Sequence, residues 1–182
     1  GVTLDDGTPP DCANLPTSPE CAVMLTVNLS LAKTVDSVLL TGPSQYRVDY
    51  RITVTNTGGA AAAYTLTDTP HFTAGVIFLG NAVVTTTGGS VNPLLPGGEF
   101  PPGNGATEQI SATNVSIAAG TMHEYLVSLN IGVQPGSLAE PLCDDTPGHG
   151  LYNAAAISGS LDLDSAACAP ANGDIALIHL EK

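Results

Sequence analysis

The stretch Ala22-Val-Met-Leu-Thr-Val-Asn-Leu-Ser-Leu-Ala-Lys33 decides the fold class of this chain. From Val23 to Leu31, every odd position carries a branched aliphatic side chain, and most even positions are small or polar. Successive side chains of a strand point to opposite faces, so this period of two predicts a strand with one buried face. The next position on that face is Lys33. Because burying an unpaired ammonium is costly, the sequence predicts a specific role for this lysine.

The same alternation recurs along the chain and predicts an all-β protein. Segments rich in β-branched residues are separated by turns that draw on 20 Gly and 14 Pro, a pattern typical of β-sandwiches. We predict an immunoglobulin-like β-sandwich of about eight strands over residues 22–171. It would follow an irregular N-terminal arm (1–21) and precede a short C-terminal strand or tail (172–182). The predicted strands are 22–33, 46–56, 63–69, 76–86, 110–117, 123–133, 151–158 and 175–181. The predicted loops are 36–45, 87–106, 134–150 and 162–171.

The charge of the chain limits its partners. The formal net charge is −13, with four Lys and Arg residues in 182. A chain with so few cations has no basic surface for phosphates, which argues against nucleic acid and anionic membrane surfaces as partners. The sequence has no run of about 18 apolar residues, so we expect no membrane insertion. No nucleophile elbow or phosphate-binding glycine loop is present, so we expect neither an enzyme nor a cofactor.

The four cysteines predict two disulfides. Cys12, Cys21, Cys143 and Cys168 are even in number, and none has the spacing of a zinc or haem site. We pair Cys12 with Cys21 and Cys143 with Cys168 because these are neighbours along the chain. Disulfides persist in oxidising compartments, so we expect an extracellular, cell-surface location.

Several segments, in order, resemble a known surface-protein repeat. They are Leu29-Ser-Leu-Ala-Lys-Thr-Val-Asp36, Val48-Asp-Tyr-Arg-Ile-Thr-Val-Thr-Asn-Thr-Gly58, Tyr64-Thr-Leu-Thr-Asp-Thr-Pro70, Ala118-Ala-Gly-Thr-Met-His-Glu-Tyr125 and Leu151-Tyr-Asn-Ala-Ala-Ala-Ile157. The repeat is the domain of bacterial and archaeal surface proteins known as domain of unknown function eleven. The resemblance implies a β-sandwich in secreted or wall-attached proteins, usually in tandem arrays, without enzymatic activity. The chain differs in having one copy of the repeat.

Three polar residues fall on the inward faces of their predicted strands by the period of two alone: Lys33, Asp68 and Asn153. Their arrangement resembles the intramolecular isopeptide site of Gram-positive pilin and collagen-adhesin domains, in which a lysine attacks an Asn or Asp side chain beside a buried acid. Burial would favour the neutral amine that this reaction needs. The alternative is a buried Lys33–Asp68 ion pair, with Asn153 bonded to the backbone. Glu124 is another candidate acid, but its strand places it on the outer face.

Other motifs are weaker. Ser30-Leu-Ala-Lys33 matches the S-x-x-K pattern of penicillin-recognising enzymes, which needs a helix turn. A strand would send Ser30 and Lys33 to opposite faces, so we interpret the match as chance. Asn28-Leu-Ser and Asn114-Val-Ser match the N-glycosylation pattern, and the sequence leaves their use open.

Metal binding has little support in the sequence. The histidines share no ligand spacing: His71, His123, His149 and His179. Four acids, Asp144, Asp145, Asp162 and Asp164, lie in loops that a Cys143–Cys168 disulfide would bring together. Carboxylates so placed are a weak candidate for Ca²⁺, and solvated loop acids are the favoured interpretation.

The terminal segments suggest self-assembly. The tail Ile178-His-Leu-Glu-Lys182 repeats the pattern of Leu29-Ser-Leu-Ala-Lys33. It is either the first strand of a following repeat or a donor strand for another subunit. We predict a pilus-like structural subunit of an extracellular filament, assembled head to tail from copies of itself. The favoured donor strand comprises Val23, Leu25, Val27, Leu29 and Leu31, and the alternative comprises Ile178 and Leu180. The alternative function is an adhesin that displays loops 87–106 and 134–150.

Overall fold

The computed structural model describes residues 26–134 and 136–171, and these form a β-sandwich of two antiparallel sheets. This confirms the predicted all-β sandwich. The strands are β1 (Leu29–Gly42), β2 (Gln45–Asn56), β3 (Ala62–Phe72), β4 (Val76–Phe78), β5 (Ala82–Thr87), β6 (Glu99–Phe100), β7 (Glu108–Gln109), β8 (Val115–Ile117), β9 (Met122–Val133), β10 (Leu151–Gly159) and β11 (Leu163–Ala167).

The first sheet has the order β1-β2-β9-β5-β6, with β4 also paired to β9. The second has the order β11-β10-β3-β7, with β8 also paired to β3. The long central strands β2, β3, β9 and β10 were all predicted, with boundaries close to those observed. Their inward positions form the core, and their aromatic members include Tyr50, Tyr64, Phe72 and Tyr125.

The prediction for the first strand was wrong at both ends. Within the described residues, β1 begins at Leu29 and continues to Gly42, through the segment predicted as a loop. The register between β1 and β2 shifts between Val35 and Ser37 and again between Leu40 and Gly42. A bulge inserts an extra residue and interrupts the period of two. The sequence therefore resembled a loop where the strand continues.

Residues 26–28 precede β1 and lie against the turn after β2. Thr57 N donates to Asn28 O, and Gly59 N donates to Thr26 O, both at 2.9 Å. A Cβ atom on Gly58 would lie 2.3 Å from Thr26 O. This close approach of two backbones requires glycine at position 58.

Several further boundaries differ from the prediction. The predicted strand 110–117 contains only β8, at Val115–Ile117. The predicted strand 76–86 is divided into β4 and β5, which both pair with β9. The predicted loop 162–171 contains β11, which pairs with β10 over five residues. The inward side chains of β11 are Leu163, Ser165 and Ala167, two of them small, so its alternation gave a weak hydrophobic signal.

The disulfide Cys143–Cys168 is present in the structure and joins the loop before β10 to the end of β11, with the two Cα atoms 5.8 Å apart. Cys12 and Cys21 lie outside the described residues, as do the N-terminal arm and the C-terminal segment 172–182.

The sandwich has two long sides where the sheets meet. On one side, which we call the closed seam, residues 87–112 run between the sheets, and Val91 and Ser111 form a β-bridge. On the other side, which we call the open seam, the edge strands β1 and β11 lie next to each other. Lys33 N donates to Ser165 Oγ across the open seam at 3.0 Å.

Candidate functional site

Lys33 lies on β1 at the open seam and points between the two sheets. Its side chain is fully buried, and so is that of Asp68 on β3 of the opposite sheet. Asp68 is paired in register with Ala155 on β10, two residues from Asn153, which is also buried. The structure thus brings together the three residues that the sequence placed on inward faces, although they come from three strands in two sheets.

The Lys33 amine has three neighbours. Its Nζ donates to Asp68 Oδ1 in a short contact and to the backbone carbonyl of Ala154 at 3.1 Å. It also lies 5.2 Å from the centre of the Tyr50 ring, within the range of a cation–π contact. Tyr50 is held in turn by its hydroxyl, which donates to Leu151 O at 2.6 Å. The Lys33 side-chain nitrogen is therefore held against β10 at Ala154, the residue next to Asn153.

Asp68 connects the lysine to the asparagine. Its Oδ1 accepts from Lys33 Nζ, and its Oδ2 accepts from Asn153 Nδ2 at 3.2 Å. Asn153 Oδ1 is buried and has no hydrogen-bond partner among the described residues. A buried carbonyl oxygen without a donor is rare in folded proteins because it has lost its hydrogen bonds to water. The carboxamide is thus held on its nitrogen side alone.

The electrostatics favour a neutral amine. Burial lowers the pKa of Lys33, while the charge of Asp68 and its hydrogen bond oppose that shift. Burial also raises the pKa of Tyr50 well above its usual value, and the Asp68 charge adds to this, so the phenol keeps its proton. Desolvation thus disfavours the charged form of the Lys33 side chain, and the uncharged amine is the form that acts as a nucleophile. The cluster can therefore supply an amine in contact with a carboxyl group.

The structure places the weaker candidates elsewhere. Ser30 is exposed while Lys33 is buried, so the S-x-x-K residues lie on opposite faces as expected. Glu124 lies on the outer face, where Arg51 donates to it at 3.4 Å. His123 is buried next to the Tyr64 hydroxyl, at 2.8 Å.

The weak calcium candidate gains no support. Asp144 Oδ1 lies 3.0 Å from His149 Nδ1, and Asp162 Oδ1 accepts from Gly159 N at 3.3 Å. Nowhere in the described ranges do three or more His, Cys, Asp or Glu residues gather as a metal site would require. Asp144 and Asp162 thus make contacts within their own loops.

Part of the favoured donor strand packs within its own chain. Leu29 is buried in the core of that chain, and Val27 and Leu31 pack against the same core. The transfer of these residues to a neighbouring subunit stays a prediction. The other donor residues, Val23, Leu25, Ile178 and Leu180, lie outside the described residues.

Sequence reasoning missed a groove at the open seam. Beyond Lys33, β1 continues while β11 ends at Ala167, and a groove of about 360 Å³ opens between them. It is lined by Val35, Asp36, Ser37, Val38, Cys168, Ala169 and Pro170. On the side away from β2, β1 has no hydrogen-bonded strand among the residues that the structure describes. The sequence signal for this edge was the bulged segment 36–42, which was interpreted as a loop.

Comparisons with known proteins give no family. No family model matches the chain. No curated protein matches it either. Two crystal structures of BcpA, the major pilin subunit of Bacillus cereus, one of them a variant, each align with a TM-score of 0.36 and 10% identity, covering 77% of this chain and 38% of the pilin. The DNA glycosylase AlkC of Pseudomonas fluorescens aligns with a TM-score of 0.28 and 9% identity, over 78% of this chain and 30% of the enzyme. The chain thus spans less than two-fifths of these proteins.

The described part of the chain contains no helix long and apolar enough to cross a membrane.

Proposed function

We propose that this chain is a structural subunit of an extracellular filament, in which copies join head to tail by strand addition. The observation that carries the proposal is the edge of β1 beside the groove at the open seam, which has no hydrogen-bonded strand among the described residues. An unpaired strand edge offers N–H and C=O groups to an incoming strand. The groove beside it has apolar walls formed by Val35, Val38, Ala169 and Pro170.

The segment 175–180 of a second copy is the proposed incoming strand. Its sequence, Ile-Ala-Leu-Ile-His-Leu, carries four large aliphatic side chains and has no proline. Burying each such side chain contributes about 1.5–3 kcal/mol, which offsets part of the entropy lost on association. The N-terminal donor is disfavoured because Val27, Leu29 and Leu31 fill the core of their own chain.

The exposed residues of β1 fit this role. Leu40 is 57% exposed, and Leu39 beside it is 39% exposed. Natural edge strands are commonly protected by lysine, proline or a covering segment. Residues Val38 to Thr41 of β1 include none of these amino acids and instead present aliphatic side chains.

The adhesin alternative has less support. The excursion 87–106 is largely part of the sandwich, because Phe100 is buried in the core and Asn92 Nδ2 donates to Gln109 O at 2.8 Å. The loop 134–150 is tied to β11 by the Cys143–Cys168 disulfide. Both segments therefore have structural tasks that account for their length.

Negative-stain microscopy of the full chain, with four preparations, tests the proposal. The wild type should form long filaments. A chain lacking residues 173–182 and a Leu40→Lys variant should each remain monomeric, because the first lacks the donor and the second has a charged acceptor edge. Leu94→Lys is the matched control, since Leu94 is 83% exposed on the closed-seam side, and it should form filaments.

Mixing the two defective proteins sharpens the test. The truncated chain keeps its acceptor edge, and Leu40→Lys keeps its donor segment, so an equimolar mixture should yield dimers that grow no further. Dispersed wild-type particles at every concentration would contradict the filament and favour the adhesin. Filaments from the truncated chain would exclude the tail as donor, and filaments from Leu40→Lys would exclude the β1 edge as acceptor.

A further inference from the structure

Lys33, Asp68 and Asn153 form one buried hydrogen-bonded cluster with Asp68 at its centre, and the filament proposal does not use it. Asp68 touches the lysine nitrogen with one carboxyl oxygen and the asparagine side-chain nitrogen with the other. If the cluster were only a stable ion pair, both polar atoms of the Asn153 side chain would be expected to have hydrogen-bond partners. Asn153 Oδ1 has none among the described residues. The arrangement instead links a nucleophile to a leaving group through one acid.

From this geometry we infer that the chain forms an intramolecular amide bond between Lys33 Nζ and Asn153 Cγ, with Asp68 carrying the proton and ammonia leaving. The bond would join β1 of the first sheet to β10 of the second, across the open seam. This inference is independent of the filament, because it concerns the folding of one chain.

The reaction begins with a neutral Lys33 amine, the form that burial favours, beside Asp68 in its carboxylic acid form. The Nζ lone pair attacks Asn153 Cγ and forms the new C–N bond. One Nζ proton passes to Asp68 Oδ1, and the Asp68 proton passes from Oδ2 to Asn153 Nδ2. The bond between Cγ and Nδ2 then breaks and releases ammonia. Asp68 ends protonated as it began, the product is a secondary amide, and no oxidant or reductant is needed.

Three contacts prepare the amine for this attack. The Ala154 carbonyl accepts from Nζ at 3.1 Å and holds it at the strand that carries the target. The Tyr50 ring covers the amine at 5.2 Å and contributes to excluding water. The backbone N–H of Lys33 donates to Ser165 Oγ, which fixes β1 against the second sheet at this level. Fixed geometry of this kind makes a reaction between two side chains effectively unimolecular and lowers its entropic barrier.

The intact mass of the oxidised full chain tests the inference. The wild type should be lighter by one ammonia than its sequence requires, after the disulfide hydrogens are subtracted. Lys33→Arg, Asp68→Asn and Asn153→Ala should each have the calculated mass. Asn153→Asp should lose one water instead of one ammonia, because water replaces ammonia as the leaving molecule. Asn130→Ala, at an exposed position of β9, is the matched control and should lose ammonia like the wild type.

Tryptic mapping locates the bond. The chain contains three trypsin sites, after Lys33, Arg47 and Arg51. After reduction, a chain without the bond should release peptide 1–33. In the cross-linked chain, Lys33 is blocked, so peptide 1–47 should remain attached to peptide 52–182.

Each other outcome overturns the inference. A wild type at its calculated mass shows that no bond forms, whatever the variants do. Loss of water with a cross-link mapped to Asp68 shows that the bond joins the wrong pair. Loss of ammonia that persists in Lys33→Arg shows cyclisation of an asparagine elsewhere.

Discussion

The two seams of the sandwich are held together by different chemistry. At the closed seam, backbone groups make the connection: β6 pairs with β5 of the first sheet, β7 pairs with β3 of the second, and Val91 bridges to Ser111. At the open seam, side chains make it: Lys33 reaches Asp68 and Ala154, and Ser165 Oγ accepts the Lys33 N–H. Backbone pairing thus connects the sheets at the closed seam, whereas at the open seam the edge of β1 has no hydrogen-bonded strand among the described residues.

The largest expected effect comes from breaking the side-chain seam. Lys33→Met leaves Asp68 buried without its Lys33 partner, and removing one partner of a buried pair costs about 3–5 kcal/mol of unfolding free energy. Urea unfolding followed by circular dichroism measures the loss.

The matched control is Arg51→Met on the neighbouring strand. Arg51 is paired with Asp36 and Glu124 at the surface, and exposed pairs of this kind contribute about 0–1 kcal/mol. Equal urea midpoints for the two variants would show that the buried Lys33 cluster contributes no more to the unfolding free energy than the exposed Arg51 pairs.

The disulfide beside the groove should have the second-largest effect. Replacing Cys143 and Cys168 together with serine removes a link between residues 25 positions apart, which contributes about 3 kcal/mol in the chain-entropy model. Calorimetry of the double variant should show a lower melting temperature, and the wild type should shift by a similar amount in reductant. A double variant with the same melting temperature as the oxidised wild type would contradict the stabilising role of the disulfide.

The closed seam should contribute a smaller, pH-dependent effect. His123 is buried beside Tyr64, whose hydroxyl also contacts that of Tyr125 at 2.9 Å. Burial lowers the pKa of His123, so the folded state favours the neutral ring. Its contribution is therefore complete above the unfolded pKa of about 6.5 and is lost as the pH falls toward the lower, folded pKa.

The pH effect is measured as the difference in unfolding free energy between neutral and mildly acidic buffer. The wild type should lose more stability on acidification than His123→Asn, which cannot titrate at this position. Identical losses in the two proteins would show that His123 does not sense pH in this range.

Much of the fold and the composition of the site could be predicted from the alternation of side chains. The central strands keep an unbroken period of two, and that period alone placed Lys33, Asp68 and Asn153 inward. Their mutual contact could not be predicted, because it depends on β10 pairing with β3 and on β1 lying across the seam. The roles of Tyr50 and Ala154 depend on the same packing.

The groove was beyond sequence reasoning for a different reason. A bulge near Asp36 interrupts the alternation in the second half of β1, so this half was not predicted as a strand. The small side chains of β11 gave too weak an alternation for it to be predicted. The groove lies where β1 extends beyond the end of β11. It could therefore be predicted only if both strands were recognised in the sequence. The tail, by contrast, was singled out as a donor by its resemblance to Leu29–Lys33, and it lies outside the described residues.

Hydrogen exchange of the backbone amides in assembled and monomeric protein tests the central claim, that the open seam is the acceptor for strand addition, most directly. The truncated chain lacking residues 173–182 supplies the monomer. We predict that β1 amides between Val35 and Leu40 that point away from β2 exchange quickly in the monomer and become protected on assembly. Amides between Val91 and Ser111 should change little. Filaments with unprotected β1 amides, or with new protection at the closed seam, would contradict the account.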